Sequence, residues 1–278
     1  MGPERFVNIS PSTVCPRGCA GCSGKARLGG LEQDERHLKL TPTARKTIST
    51  LVKGAVVEVA GETGDPHYYN HGTDQNSNLE GLHKLLVKAG AKEITYLMNG
   101  DLFRNKEKAL EEVARFKKIV GNRPVRMQYM ISIGFPKTGV KNWKNLTAEH
   151  PKVKEQNKIL DNLHEIATRL GVDYQVTLHG HFEKSETSSP EFKKYKEIFH
   201  LQVPSEQSAF KRFSYAKWMT PKEIGVQYQD NLAIMSGAEP INILHNGLIY
   251  RDSDGFFQRP IGSVYRGGMF GAQTIERK

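Results

Sequence analysis

All three cysteines of the chain fall in one short span, Val14-Cys15-Pro16-Arg17-Gly18-Cys19-Ala20-Gly21-Cys22, at the spacing C-x3-C-x2-C. No other feature restricts the fold so tightly, because thiols this close in sequence are suited to converge on a single object. Gly18 and Gly21 let the backbone curl enough for that. The span therefore predicts a metal centre. Three thiolates are one short of the four protein ligands of a closed iron–sulfur cluster or a structural zinc site. The shortfall leaves one iron of a cluster open to a small chelating molecule, or one zinc position open to a histidine such as His37 or His67. Inert thiols fit poorly, since cysteines crowded into one loop fill a core badly. An odd count argues against a disulfide framework.

Around this span the sequence alternates between strand and helix patterns. Phe6, Val7 and Ile9 make a short apolar strand over 5–10, so the cysteine loop leaves the carboxyl end of a strand, where α/β folds place their sites. Thr41-Pro42 opens a helix carrying Ala44, Ile48, Leu51 and Val52, and residues 55–60 have the β-branched content of a second strand. A helix from about Asn78 to Gly90, a third strand over 93–98, a helix over 106–120 and a fourth strand over 125–133 follow. Residues 137–158 form a lysine-rich connection that enters a helix near His150, with an apolar stripe from Val153 to Leu170. Lys141, Lys144, Lys152, Lys154 and Lys158 read as a solvated face, with contact to an acidic partner as the alternative. A fifth strand over 172–178 and a sixth over 197–203 complete the pattern. Six strand–helix units with right-handed crossovers predict an α/β fold, a partial (β/α)6 TIM-like barrel over residues 1–203. Residues 204–278 form a C-terminal extension expected to cover the barrel mouth.

With its cysteine loop placed after the first strand, the chain resembles the radical S-adenosylmethionine (radical SAM) enzymes. The resemblance implies a [4Fe-4S] cluster on Cys15, Cys19 and Cys22, with S-adenosyl-L-methionine chelating the iron that lacks a protein ligand. It implies reductive cleavage of that cofactor to a 5′-deoxyadenosyl radical, which abstracts hydrogen from a substrate. It also implies cofactor contacts. Gly61-Glu62-Thr63 is similar to the family's Gly-Gly-Glu-Pro turn on the methionine amino group, with Ala60 for the first glycine and Thr63 for the proline. Asn99 stands in Met98-Asn99-Gly100 where the family often has Thr-Asn-Gly, and it either faces the site or, as Asn-Gly favours, shapes the turn. Ser132 matches a ribose-binding serine, with Gly134 where an aspartate is frequent, and Gly21 replaces the aromatic that often precedes the third cysteine.

Residues 241–250 pivot on Asn246-Gly247, a hairpin signal. Residues 243–250, with residues 261–264, resemble the C-terminal extension of peptide-modifying radical enzymes of the SPASM and twitch type, here without cysteines. No thiol is left for an auxiliary cluster, a methyl acceptor or a hydrogen donor. Candidates for substrate chemistry are His179 and His181 at the end of the fifth strand, and Arg212 and Tyr215 in an aromatic and basic stretch. The expected substrate is a peptide or protein side chain, with a small metabolite, nucleotide or RNA as the alternative. A zinc-stabilised nucleic-acid-binding module is the reading from a different class.

The net charge of +10, from 40 basic and 30 acidic residues, is that of a basic surface with or without an acidic partner. Nucleic acid, an acidic peptide, or reduced flavodoxin or ferredoxin as electron donor all suit it. The sequence has no apolar run long enough to span a membrane and no apolar leader, which predicts a cytoplasmic protein whose thiols stay reduced.

Overall fold

The computed structural model describes residues 5–16, 36–60, 64–72, 74–134, 143–180, 189–201, 214–215, 241–251 and 260–269. Its helices begin where short polar side chains satisfy the first free N–H groups. Helix α1 (Pro42–Val52) starts at Thr41, whose hydroxyl accepts from the Ala44 N–H, with Pro42 already holding the helical φ. Asn78 caps α2 (Leu79–Ala89) and Asn105 caps α3 (Lys106–Val120) in the same way. His150 Nδ1 accepts from the Lys152 N–H at the start of α4 (Pro151–Leu170). On α4, Lys152, Lys154 and Lys158 are exposed, while Lys141 lies outside the described residues.

Between these helices run β1 (Phe6–Ser10), β2 (Val56–Val59), β3 (Glu93–Met98), β4 (Arg126–Gly134) and β5 (Asp173–Gly180). They are followed by α5 (Pro190–Glu197), β6 (Ser214–Tyr215), β7 (Ile241–Leu244), β8 (Leu248–Arg251), β9 (Gly262–Ser263) and β10 (Gly268–Met269). One sheet contains all ten strands in the order β10-β9-β8-β7-β1-β2-β3-β4-β5-β6. The strands from β7 to β6 are parallel, and β8, β9 and β10 add antiparallel strands beyond β7. The predicted hairpin forms, with Gly247 in its turn at φ 74. Its first strand lies parallel to β1, with Ser10 opposite Leu244, and so widens the sheet at the edge where a closed barrel would return.

Register gives the sheet two unlike faces. Val7, Val57, Ile94 and Met127 form one cross-strand row, and Ile9, Val59, Tyr96 and Tyr129 the next. All are buried in a cluster with Ile48, Leu82, Phe116, Leu160 and Leu163 of the helices. The intervening row on the other face is polar: Asn242, Asn8, Glu58, Thr95 and Gln128 stand side by side on five strands, each buried. Alternation of this kind puts the helices outside and a polar surface inside.

The sixth strand is not where the sequence predicts it. The apolar Ile198, Phe199, Leu201 and Val203 suit a strand over 197–203, yet over 197–201 the chain ends α5 and turns, and Val203 lies outside the described residues. Asn157 on α4 holds that turn, donating to the Ile198 carbonyl at 2.9 Å and accepting from the His200 N–H at 3.0 Å. Phe199 is buried edge-on against Tyr195. Ile198, Phe199 and Leu201 pack into the core, and among the described residues the strand beside β5 is the short Ser214–Tyr215 pairing. Among the described residues no helix is long and apolar enough to cross a membrane.

His83 links α2 to the sheet core. Its Nε2 donates to the Phe116 carbonyl at 3.0 Å, which leaves Nδ1 to accept from the Tyr96 hydroxyl, and the ring stacks on Phe116 at 4.5 Å. Burial lowers its pKa from 6.5 to about 4. A proton bound by the unfolded chain but refused by the fold costs stability as pH falls through 6.5, until the folded ring titrates near 4. Denaturant titrations should show the wild type losing roughly 3 kcal/mol more than His83→Gln across this window. Parallel pH profiles for the two proteins would refute the assignment.

Candidate functional site

The cysteine loop is gathered at its base by a short ladder. The Leu38 N–H donates to the Pro11 carbonyl and the Thr13 N–H to the Arg36 carbonyl, both at 2.9 Å, while Ser12 and His37 form an isolated bridge. Ser12 Oγ accepts from the Val14 N–H at 3.0 Å and turns the chain upward. Cys15, half-buried, stands directly above this base. Cys19 and Cys22 lie outside the described residues, as do Gly61, Glu62 and Thr63.

The end of the β2 turn is pressed against the loop. A Cβ on Gly64 would stand 2.5 Å from the Ser12 carbonyl oxygen and 2.6 Å from the Val14 nitrogen, so only glycine permits this approach. The Asp65 N–H donates to the Val14 carbonyl at 2.8 Å. Its carboxylate, on a residue 3% exposed, accepts from the His67 N–H at 2.8 Å and from the Asn99 N–H at 2.6 Å. One aspartate thus joins the carboxyl ends of β1, β2 and β3.

Asn99 completes the junction. Its Oδ1 accepts from the Asp101 N–H at 2.8 Å, which fixes the amide so that Nδ2 donates to Cys15 Sγ at 3.6 Å. Asp101 in turn accepts from the Tyr68 hydroxyl at 2.9 Å and pairs with Arg104 at 2.9 Å, and Arg104 also reaches Glu155 of α4. Burial, with the Asp101 hydrogen bond, raises the Tyr68 pKa and keeps the phenol neutral. The site wall is therefore braced from β3 across to α4.

At the end of β4, Ser132 sits partly buried opposite Thr177, two residues before Gly134. Gly134 has φ 131 and its N–H donates to Gln156 Oε1 at 2.6 Å. That φ excludes the aspartate frequent in the resembled family, which explains the departure at this position. His179 and Tyr215 are placed only by their backbones, at the ends of β5 and β6; His181 and Arg212 lie outside the described residues. His67, an alternative zinc ligand by sequence, packs edge-on against Tyr68 with Nδ1 4.0 Å from Glu112.

A second group at this end of the sheet is marked by no motif. His245, in the β7–β8 turn, is completely buried with neither ring nitrogen hydrogen-bonded among the described residues, and His37 Nδ1 and Ser10 Oγ are buried without partners there as well. Burial, then the charge of His37, lowers the His245 pKa to about 4, so it is neutral. The only signal for it in the sequence is its place beside the Asn246-Gly247 turn.

The donor set around Cys15 suits a metal-bound thiolate: a sulfur rich in charge faces an amide N–H, on a loop drawn tight at its base. Truncating Asp65 strips the Asn99 and His67 N–H groups of their acceptor. Asp65→Ala is expected to cost about 2–4 kcal/mol in denaturant unfolding. A loss below about 0.5 kcal/mol, within the scatter of an ordinary surface substitution, would show that the carboxylate does not hold the junction.

No family model matches the sequence, and no curated protein matches it either. A solved structure, polyhistidine-tagged anSMEcpe with bound AdoMet, superposes with a TM-score of 0.51 over 95% of this chain and 76% of that chain, at 13% sequence identity. Identity at this level speaks for architecture. The chain shares the fold of that structure, an α/β partial barrel built on a largely parallel sheet.

Proposed function

We propose that the protein is a radical SAM enzyme with one [4Fe-4S] cluster on Cys15, Cys19 and Cys22. The observation that carries this is the position of Cys15, at the carboxyl end of β1 and hydrogen-bonded by Asn99 from β3, in a fold shared with a structure that has bound AdoMet. When bound, the cluster and S-adenosyl-L-methionine supply a 5′-deoxyadenosyl radical that abstracts hydrogen from the substrate. The chain's own residues hold and shield these groups. Gly61, Glu62 and Thr63 follow β2 and precede the Gly64–Asp65 contact with the cysteine loop, so they are suited to the methionine moiety. Ser132 at the end of β4 suits the ribose hydroxyls.

The proposed substrate is a peptide or protein side chain. Support comes from the β7–β8 hairpin and the 261–264 segment, whose sequence resembles the SPASM and twitch extension, and from their union with the barrel sheet along β1. A small metabolite, nucleotide or RNA is the alternative. His179, His181, Arg212 and Tyr215 are the candidates for contact with that substrate. The remaining residues from about 204 would cover the barrel mouth and exclude water from a reactive intermediate. A cytoplasmic setting with reduced flavodoxin or ferredoxin as electron donor suits the basic surface.

Anaerobic reconstitution with iron and sulfide is expected to give a brown protein that forms 5′-deoxyadenosine from S-adenosylmethionine on reduction. Cys19→Ala should abolish both colour and cleavage. A colourless wild type that retains zinc and binds nucleic acid in a salt-dependent way would instead support the zinc module.

A further inference from the structure

Asn99 does more at this site than shape a turn. Its backbone N–H is taken by Asp65 and its Oδ1 by the Asp101 N–H, so both ends of the residue are fixed before the side-chain nitrogen is considered. Nδ2 is thereby turned toward Cys15, whose Sγ accepts from it at 3.6 Å. The nearby carboxylates are already engaged: Asp65 by two backbone N–H groups, Asp101 by Tyr68 and Arg104. The amide N–H is thus a donor that this wall turns toward the sulfur.

We propose that Asn99 is a positioning residue that raises the reduction potential of the cluster by hydrogen-bonding the Cys15 sulfur. This rests on the functional reading above. Adding an electron increases negative charge on the ligand sulfurs, and an N–H donor stabilises that extra charge, so the bond favours the reduced form. The fixed amide gains this without reorganising, because Asp65 and Asp101 hold it in place in either state. A reducing equivalent from a protein donor then reaches a cluster that accepts it more readily than an unassisted one.

The test is a redox titration followed by electron paramagnetic resonance on reconstituted wild type, Asn99→Ala and Asn99→Asp, without S-adenosylmethionine so that cofactor binding plays no part. At the wild-type midpoint, Asn99→Ala should show a reduced-to-oxidised ratio lower by up to about tenfold, equivalent to ~59 mV for one electron. Asn99→Asp should shift at least as far, since it keeps the acceptor for the Asp101 N–H but puts a carboxylate where the donor was. Variants that hold a full cluster at the wild-type potential, and lose only affinity for S-adenosylmethionine, would overturn the inference and leave the proposed function standing. A wild type that takes up no cluster would overturn both.

Discussion

The carboxylate of Asp65 is the interaction on which the rest of the site depends. It is almost wholly removed from water, and it is kept there by two backbone N–H donors while its own N–H holds the cysteine loop. Hydrogen bonds to a charged acceptor are among the strongest a protein makes, and they are directional. Three strand ends that share only lateral pairing are thereby locked into one rim. Gly64 permits the contact and Asn99 carries it to Cys15, so the sulfur's position is set by residues far from it in sequence.

The sheet beneath that rim explains why a site can exist there. Its outer face is apolar and sealed by α1 to α4, whereas its inner face carries Asn242, Asn8, Glu58, Thr95 and Gln128 in register. A polar interior row is costly to bury unless satisfied, and it leaves the carboxyl ends of the strands as the place where polar groups converge. The β7–β8 hairpin continues the row through Asn242 and brings His245 beside the β1 end. The hairpin turn therefore lies at the same end of the sheet as the base of the cysteine loop.

Much of this architecture is legible in the sequence for local reasons. The caps at Thr41, Asn78 and Asn105, the apolar stripes of α2 to α4 and the Asn246-Gly247 turn are encoded within a few residues, and each element forms where those signals stand. Elements decided by distant partners are not legible. Residues 197–203 carry an apolar pattern that suits a strand, but Asn157 captures Ile198 and His200 in a turn against α4. The pairing of β7 with β1 joins segments more than 200 residues apart, which no window of sequence reveals. At the site, Asn99 is legible through its family-like turn, whereas Asp65 carries only the general turn and cap signal of Asp-Pro. Its role lies in the N–H of Asn99, and backbone groups leave no trace in a sequence.

The proposed function needs a sulfur held ready by its neighbours, as Cys15 is by Asn99, and a cluster with one iron left for a cofactor. Electron–nuclear double resonance on the reduced, reconstituted protein with S-adenosylmethionine labelled at its amino nitrogen tests this most directly. The account predicts coupling between that nitrogen and the cluster, lost on replacement by an analogue without the amino group. A cluster that assembles on the three cysteines and shows no such coupling at saturating cofactor would contradict it.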